Sequence, residues 1–306
     1  MKNVLFASTA LVALTGAAAA DVALSGRAEM GVFGETGAAE AQFFTDIDVT
    51  FTLTGETDNG LTFGASVDLD EGGSGAAAVA DNSDDGGIVI FVSGDFGTVS
   101  IGDTDGALDW ALTEAGNIGN PGTIADDETS HAGYLGSYGD GQGGDGQILR
   151  YDYSAGDFGV AISAESNEDA NGNADDYGYA VGLRYNLNLT GAQVKLGIGY
   201  QSTVDDQDII GVSATAILEN GISAGFTYAD YSDSVNDYHV GVGVGYTTGA
   251  ITLHANYGIF ELDAGGDVEG GGISAAYDLG GGAVVHAGYS DGAGIERASL
   301  GLGLSF

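Results

Sequence analysis

The chain has 306 residues, no Cys, and 45 acidic against 6 basic residues, for a formal net charge of −39. Lack of Cys excludes disulfides and thiolate metal centres, and a charge of this sign excludes a phosphate-backbone partner, so no nucleic acid is expected. With 56 Gly but 1 Pro, and with 15 Tyr and 12 Phe, the composition fits neither a collagen nor a disordered chain.

Residues 1–20 read as a cleaved signal peptide. Lys2 gives the positive start, 5–14 the apolar core, and Ala18, Ala19 and Ala20 the small-residue cleavage site before Asp21. No later run approaches the roughly twenty apolar residues of a spanning helix. The mature chain is therefore soluble or crosses a membrane as a closed barrel, since lipid satisfies no open backbone.

From residue 21 onward the apolar pattern has period two. Tyr177, Tyr179, Val181, Leu183, Tyr185 and Leu187 alternate with small or polar residues. Val194, Leu196, Ile198 and Tyr200 do the same, as do Tyr238, Val240, Val242, Val244 and Tyr246. Aromatics tipping an apolar row are what the two interfacial girdles of a membrane barrel require. Glycine inside a strand implies a wall crowded from one side or a lumen kept empty, and the Gly, Ser and Thr rows are read here as an open interior.

Turn signals divide the chain into strands at 21–34, 43–55, 60–70, 86–94, 97–104, 146–154, 157–166, 176–187, 192–202, 207–219, 221–231, 237–247, 250–260, 267–278, 283–290 and 295–306. Tight connections alternate with longer acidic ones, notably 71–85, 105–145, 167–175 and 261–267, which is the barrel pattern of short turns on one side and loops on the other. An even strand number puts both termini on the short-turn side. Strand 86–94 is apolar on both faces, which an oligomer contact would explain, as would a strand of a soluble protein. The fold class expected is all-β: a transmembrane antiparallel up-and-down barrel over 21–306.

Several stretches resemble alphaproteobacterial porins of the Rhodobacter type. These are DVALSGRAEMGV at 21–32, TGETDNGLTFGA at 54–65, SGDFGTVSIGD at 93–103, YDLGGGA at 277–283 and LSF at 304–306. The resemblance implies about 16 strands, a homotrimer in the Gram-negative outer membrane, and a long third loop folded into the lumen as the constriction. It also implies that Phe306 is an assembly signal read by the barrel-assembly machinery. Outer-membrane lipid and lipopolysaccharide are the expected surroundings, and ions and small hydrophilic solutes the expected cargo. The segment 105–145 falls where that third loop belongs.

On that reading Asp103, Asp105, Asp109, Glu114, Asp126, Asp127 and Glu128 are the candidate constriction acids, and like charge in a narrow pore selects counter-ions. Such porins usually oppose the loop acids with a basic cluster. Here the mature chain carries only Arg27, Arg150, Arg184, Lys195 and Arg297, all expected to face the lumen but spread around the wall. Arg27 and Arg297 lie on the first and last strands, which are neighbours once the barrel closes, and no compact arginine ladder is expected. Glu29, Asp46, Asp48, Asp68 and Asp152 join them as luminal wall charges, with Arg27–Glu29 and Arg150–Asp152 as i, i+2 pairs on one face.

No cofactor is expected beyond weak Ca²⁺, for which the clustered acids Asp81, Asp84 and Asp85, or Asp126, Asp127 and Glu128, are candidates. The GDGQGGDG stretch at 139–146 resembles a calcium β-roll repeat but occurs once, where such solenoids need several copies. His131, His239, His254 and His286 are scattered without zinc spacing, and no nucleophile is marked, so no enzyme is expected. Gly241, Gly243 and Gly245 sit inside a strand and form no nucleotide fingerprint. The function expected is a general diffusion porin with a cation preference; the alternative is a substrate-specific channel on the same barrel.

Overall fold

The computed structural model describes residues 21–38, 40–74, 87–138, 147–168, 174–203, 207–232 and 234–306. The expected leader, Asp81, Asp84, Asp85 and the stretch 139–146 lie outside the described residues. The strands are β1 (Asp21–Glu35), β2 (Gln42–Glu56), β3 (Thr62–Ser74), β4 (Ile88–Gly94), β5 (Gly97–Gly102), β6 (Ile148–Ala155), β7 (Phe158–Glu168) and β8 (Ala174–Leu189). They continue as β9 (Ala192–Ser202), β10 (Asp208–Leu218), β11 (Ile222–Ser232), β12 (Asn236–Thr248), β13 (Ile251–Leu262), β14 (Asp267–Gly280), β15 (Ala283–Gly292) and β16 (Ile295–Ser305). Each pairs antiparallel with its sequence neighbours, and β1 pairs with β16, so the barrel is closed.

Closure leaves no sheet edge, which is the condition for a sheet to stand in lipid. At the seam Arg27 lies opposite Ser305 and Glu35 opposite Arg297. The Phe306 amide donates to the Gly26 carbonyl at 2.9 Å, so the last residue extends the ladder. Both chain ends of the barrel sit beside the short turns, where Gly191 (φ 82°) and Gly221 (φ 90°) adopt backbone conformations that side chains disfavour. Arg27 and Arg297 are on adjacent strands but are not neighbours. The register separates them from position 27 to position 35 of β1, roughly 27 Å at strand rise.

The outward face is the apolar row of each strand. Leu183, Ile198, Val242, Ile273 and Leu300 stand exposed along it. Tyr177 and Tyr179 stand exposed at one end of β8, and Tyr246 at an end of β12. Transferred into hydrocarbon these side chains lose nothing, whereas water would penalise so large a continuous patch. Strand β4 follows the same rule and needs no partner to explain its second apolar face. Ile88, Ile90 and Val92 point outward, while Phe91 points in and lies over Gly64, where a Cβ would stand 2.7 Å from its ring.

Candidate pore constriction

After β5 the chain turns into the barrel and runs along the inner wall in two passes. The outbound pass starts with a short helix, α1 (Ala107–Ala111). The Ala107 amide donates to Ser163 Oγ on β7 at 2.8 Å, and the Thr113 amide to Ser213 Oγ on β10 at 3.1 Å. Ser274 on β14 donates to Asn120 Oδ1 at 2.6 Å, and Ile124 reaches the seam between Gly31 and Gly301. The return pass is fixed by Asn256 Nδ2 donating to the Glu128 carbonyl at 2.9 Å and by Arg297 donating to the Ser130 carbonyl. It ends with Tyr138 buried beside Leu108, Leu112, Ala161, Ala180, Ile209 and Ala229. This apolar cluster lies between loop and wall, inside the barrel.

The expectation that luminal glycines keep the interior open is overturned for most of the circumference. A Cβ at Gly182, Gly197 or Gly243 would overlap the carbonyls of Ala107, Ala111 and Ala115. At Gly258 and Gly272 it would overlap the carbonyls of Gly133 and Glu128. These glycines are a track on which loop backbone lies against strand backbone. Of the two readings of a strand glycine, crowding wins over emptiness on β8, β9 and β12 to β14.

The four histidines are not scattered, because all of them stand on this seam. His239 Nε2 donates to the Gly133 carbonyl (3.0 Å), His254 Nδ1 to Ile118 (2.9 Å) and His286 Nδ1 to Gly122 (2.9 Å). A carbonyl only accepts, so each contact fixes which ring nitrogen carries the proton. His131, on the loop, contacts Asn256 Oδ1 at 2.5 Å, and burial pushes its pKa down. Sequence spacing concealed the cluster because the partners are backbone carbonyls on the distant loop, which carry no residue signature.

The seven expected constriction acids separate into three groups. Asp127 and Glu128 are buried and do not line the opening. Ser299 donates to Asp127 Oδ1 at 2.5 Å, and Asn120 donates to Glu128 Oε1 at 3.0 Å, so these carboxyls attach the loop to itself and to β16. Thr123 Oγ1 touches both, at 2.8 Å from Asp127 Oδ1 and 2.5 Å from Glu128 Oε2. The single hydroxyl proton of Thr123 is donated to one of them at a time. Burial pushes the Glu128 pKa up, against the pull of its hydrogen bonds to Thr123 and Asn120.

Asp103, Asp105, Asp109 and Glu114 form the second group. Asp103 and Asp105 are exposed where β5 gives way to the loop, and the Asp105 carbonyl accepts from Arg150 at 2.6 Å. Asp109 and Glu114 are half-buried on the outbound pass. Burial, reinforced by the charges of Glu114 and Asp109, pushes the Tyr134 hydroxyl above its ordinary range. Asp126 stands alone as the third group. It is exposed at a positive φ of 47° and lies within electrostatic reach of Arg27, Glu29 and Asp48. Enclosure by the lumen raises its pKa, with Arg27 opposing.

The wall it faces is β1 to β3, which the loop touches at Gly31 through Ile124. The β1–β2–β3 register aligns Arg27, Asp48 and Asp70 in one row and Glu29 with Asp46 in the next. Thr50 donates to Asp68 at 2.8 Å in a third row. Asp46, Asp48 and Asp70 bring one carboxylate oxygen each within 4.8 Å of one another, the hard donors a divalent cation takes. Asp70 is absent from the expected luminal set although it shares the parity of Asp68, so alternation alone would have found it.

The bases do not restore a two-signed field. Arg27 pairs with Glu29, Arg150 with Asp152 at 3.3 Å, and Arg297 with Glu35 at 2.7 Å. Arg184 lies over the Trp110 ring, 3.6 Å from its centroid, and Lys195 is exposed on β9. Carboxylates therefore stand on both sides of the opening.

The geometry of a closed barrel with an inward third loop has counterparts. Residues 7–293 match the Gram-negative porin family. The chain is 30% identical to a porin of Rhodobacter capsulatus over 89% of its own length and 94% of that protein. A solved porin structure, 27% identical, superposes with a TM-score of 0.72 over 94% of this chain and 100% of that one. A triple variant of Rhodopseudomonas blastica porin, 19% identical with a TM-score of 0.69 over the same shares, shares the fold. The chain belongs to the Gram-negative porin family, whose members are outer-membrane diffusion channels.

Proposed function

We propose that the channel prefers cations, passing them and small hydrophilic solutes through a water-filled opening between the loop and the β1–β3 wall. The observation that supports this is the facing of Asp126 on the loop by Asp46, Asp48 and Asp70 on the wall, with Arg27, the nearest base, held by Glu29. Low-dielectric walls focus such a field, raising the local cation concentration and rejecting anions. Reversal potentials across a planar bilayer under a KCl gradient test the reading. The sign of a cation-selective pore is expected, and that of an anion-selective pore overturns it.

Assembly as a homotrimer belongs to the same proposal. It is supported by the aliphatic outward face of the short strands β4 and β5, where Ile88, Ile90, Val92, Val99 and Ile101 stand exposed and the aromatic Phe96 lies in the joining turn. A second copy supplies a better match to that face than a lipid–water boundary does. Mass measurement of the detergent-solubilised, unheated protein checks it; a monomer overturns it.

A further inference from the structure

Among the described residues Arg184 and Lys195 form no ion pair, in contrast to Arg27, Arg150 and Arg297. Both line one recess of about 570 Å³. Its roof is the end of α1 and the residues after it, Trp110 to Thr113, and its floor is the short-turn ends of β8 and β9. The register sets Lys195 opposite Asn186 and Arg184 opposite Gly197, so the two cations are diagonal neighbours on the inner face.

The rest of the lining suits an anion. Stacking on Trp110 occupies the face of the Arg184 guanidinium, and its N–H donors lie in the ring plane, away from that contact. Asn186, Asn188 and Gln193 bring side-chain amides, and Gln193 Nε2 donates to Asn188 Oδ1 at 3.2 Å, which leaves the Asn188 amide nitrogen turned to other acceptors. Asp157 is the one carboxylate in the lining. In a chain with 45 acids, two cations beside one acid is a local inversion of sign. The acidic opening at β1–β3 does not lie between this recess and the short-turn mouth, because the recess is built from the turn ends themselves.

We propose that this recess is a subsite for small oxyanions, carboxylate or phosphate, entered from the short-turn mouth. The guanidinium edge and the Lys195 ammonium bind the charge, and the amides orient the remaining oxygens. The proposal needs a hydrated lumen but not a cation-preferring constriction, so an anion-selective reversal potential would leave it standing.

Trp110 is the chain's single tryptophan and reports on the recess directly. The folded protein in detergent is titrated with inorganic phosphate and, separately, with succinate, at an ionic strength held constant with NaCl. A saturable change in Trp110 emission is expected: a response to both identifies a general oxyanion site, and a response to one identifies its source chemistry. Lys195→Gln, at an exposed position, is expected to weaken the apparent affinity roughly tenfold, the equivalent of one charge-assisted hydrogen bond, and Lys195→Arg to retain most of it. No saturable change with either anion, or a Lys195→Gln titration that matches the unsubstituted protein, overturns the proposal.

Discussion

His286 on β15 donates its Nδ1 proton to the carbonyl oxygen of Gly122, 2.9 Å away across the barrel lumen's inner seam. With His239 and His254 it makes three wall imidazoles that hold loop carbonyls which would otherwise be buried without a donor. Replacing His254 by Phe leaves the Ile118 carbonyl unserved, a loss of about 1 kcal/mol of loop docking or somewhat more. Faster limited proteolysis within the loop and broader single-channel current noise are expected. Unchanged proteolysis would show that the wall histidines do not hold it.

Gly182→Ala tests the glycine track. The added methyl would overlap the Ala107 carbonyl, and neither backbone is free to yield. Overpacking of this kind costs about 1–3 kcal/mol, and here displacement of the loop relieves it. A lower melting temperature together with a larger single-channel conductance is expected. Loss of stability without a conductance change would mean that the loop shifts elsewhere than at the opening.

Asp126→Lys and Asp48→Lys each place a cation in the acidic opening. Both are expected to move the reversal potential under a KCl gradient toward the anion side, and the double substitution to move it further. Asp127→Asn, buried behind the loop, is expected to leave it nearly unchanged. A larger effect from Asp127 than from Asp126 would contradict the assignment of Asp127 to attachment.

The buried loop groups give a pH dependence with a definite sign. Glu128 has a raised pKa, so its contribution to docking is fully present below the ordinary carboxylate value of 4.5 and is lost as pH rises through the raised one. His131 has a lowered pKa, so its contribution is present above the ordinary 6.5 and is lost as pH falls through the lowered one. Glu128→Gln keeps the neutral shape at every pH. It is expected to melt like the unsubstituted protein near pH 4 and above it at pH 8, with the gap widening between; a constant gap would mean that Glu128 does not change charge on docking.

Strand number, closure, the outward row and the side carrying the termini were legible in the sequence because period two is imposed locally by the pleat and the solvent. Arg27 with Glu29 and Arg150 with Asp152 were legible for the same reason, since residues two apart share a face. The separation of Arg27 from Arg297 was not, because seam register depends on pairing between the two ends of the chain. Nor was the burial of Asp127 and Glu128, which look like any other loop acids until the wall residues that accept the loop are in place. Gly182 and Gly243 were visible, but whether such a residue clears space or admits a backbone is decided only by what lies opposite.

The passage of Ile124 between Gly31 and Gly301 has a consequence for the order of assembly. Those two glycines belong to the first and last strands, and they face each other only when β1 and β16 have paired. The docking surface for the tip of the loop is therefore complete only when those two strands are paired. An unfinished sheet offers the loop its β7–β15 contacts but no seat for Ile124. Full loop insertion thus comes after completion of the barrel, and a passage of final width appears only in a finished molecule.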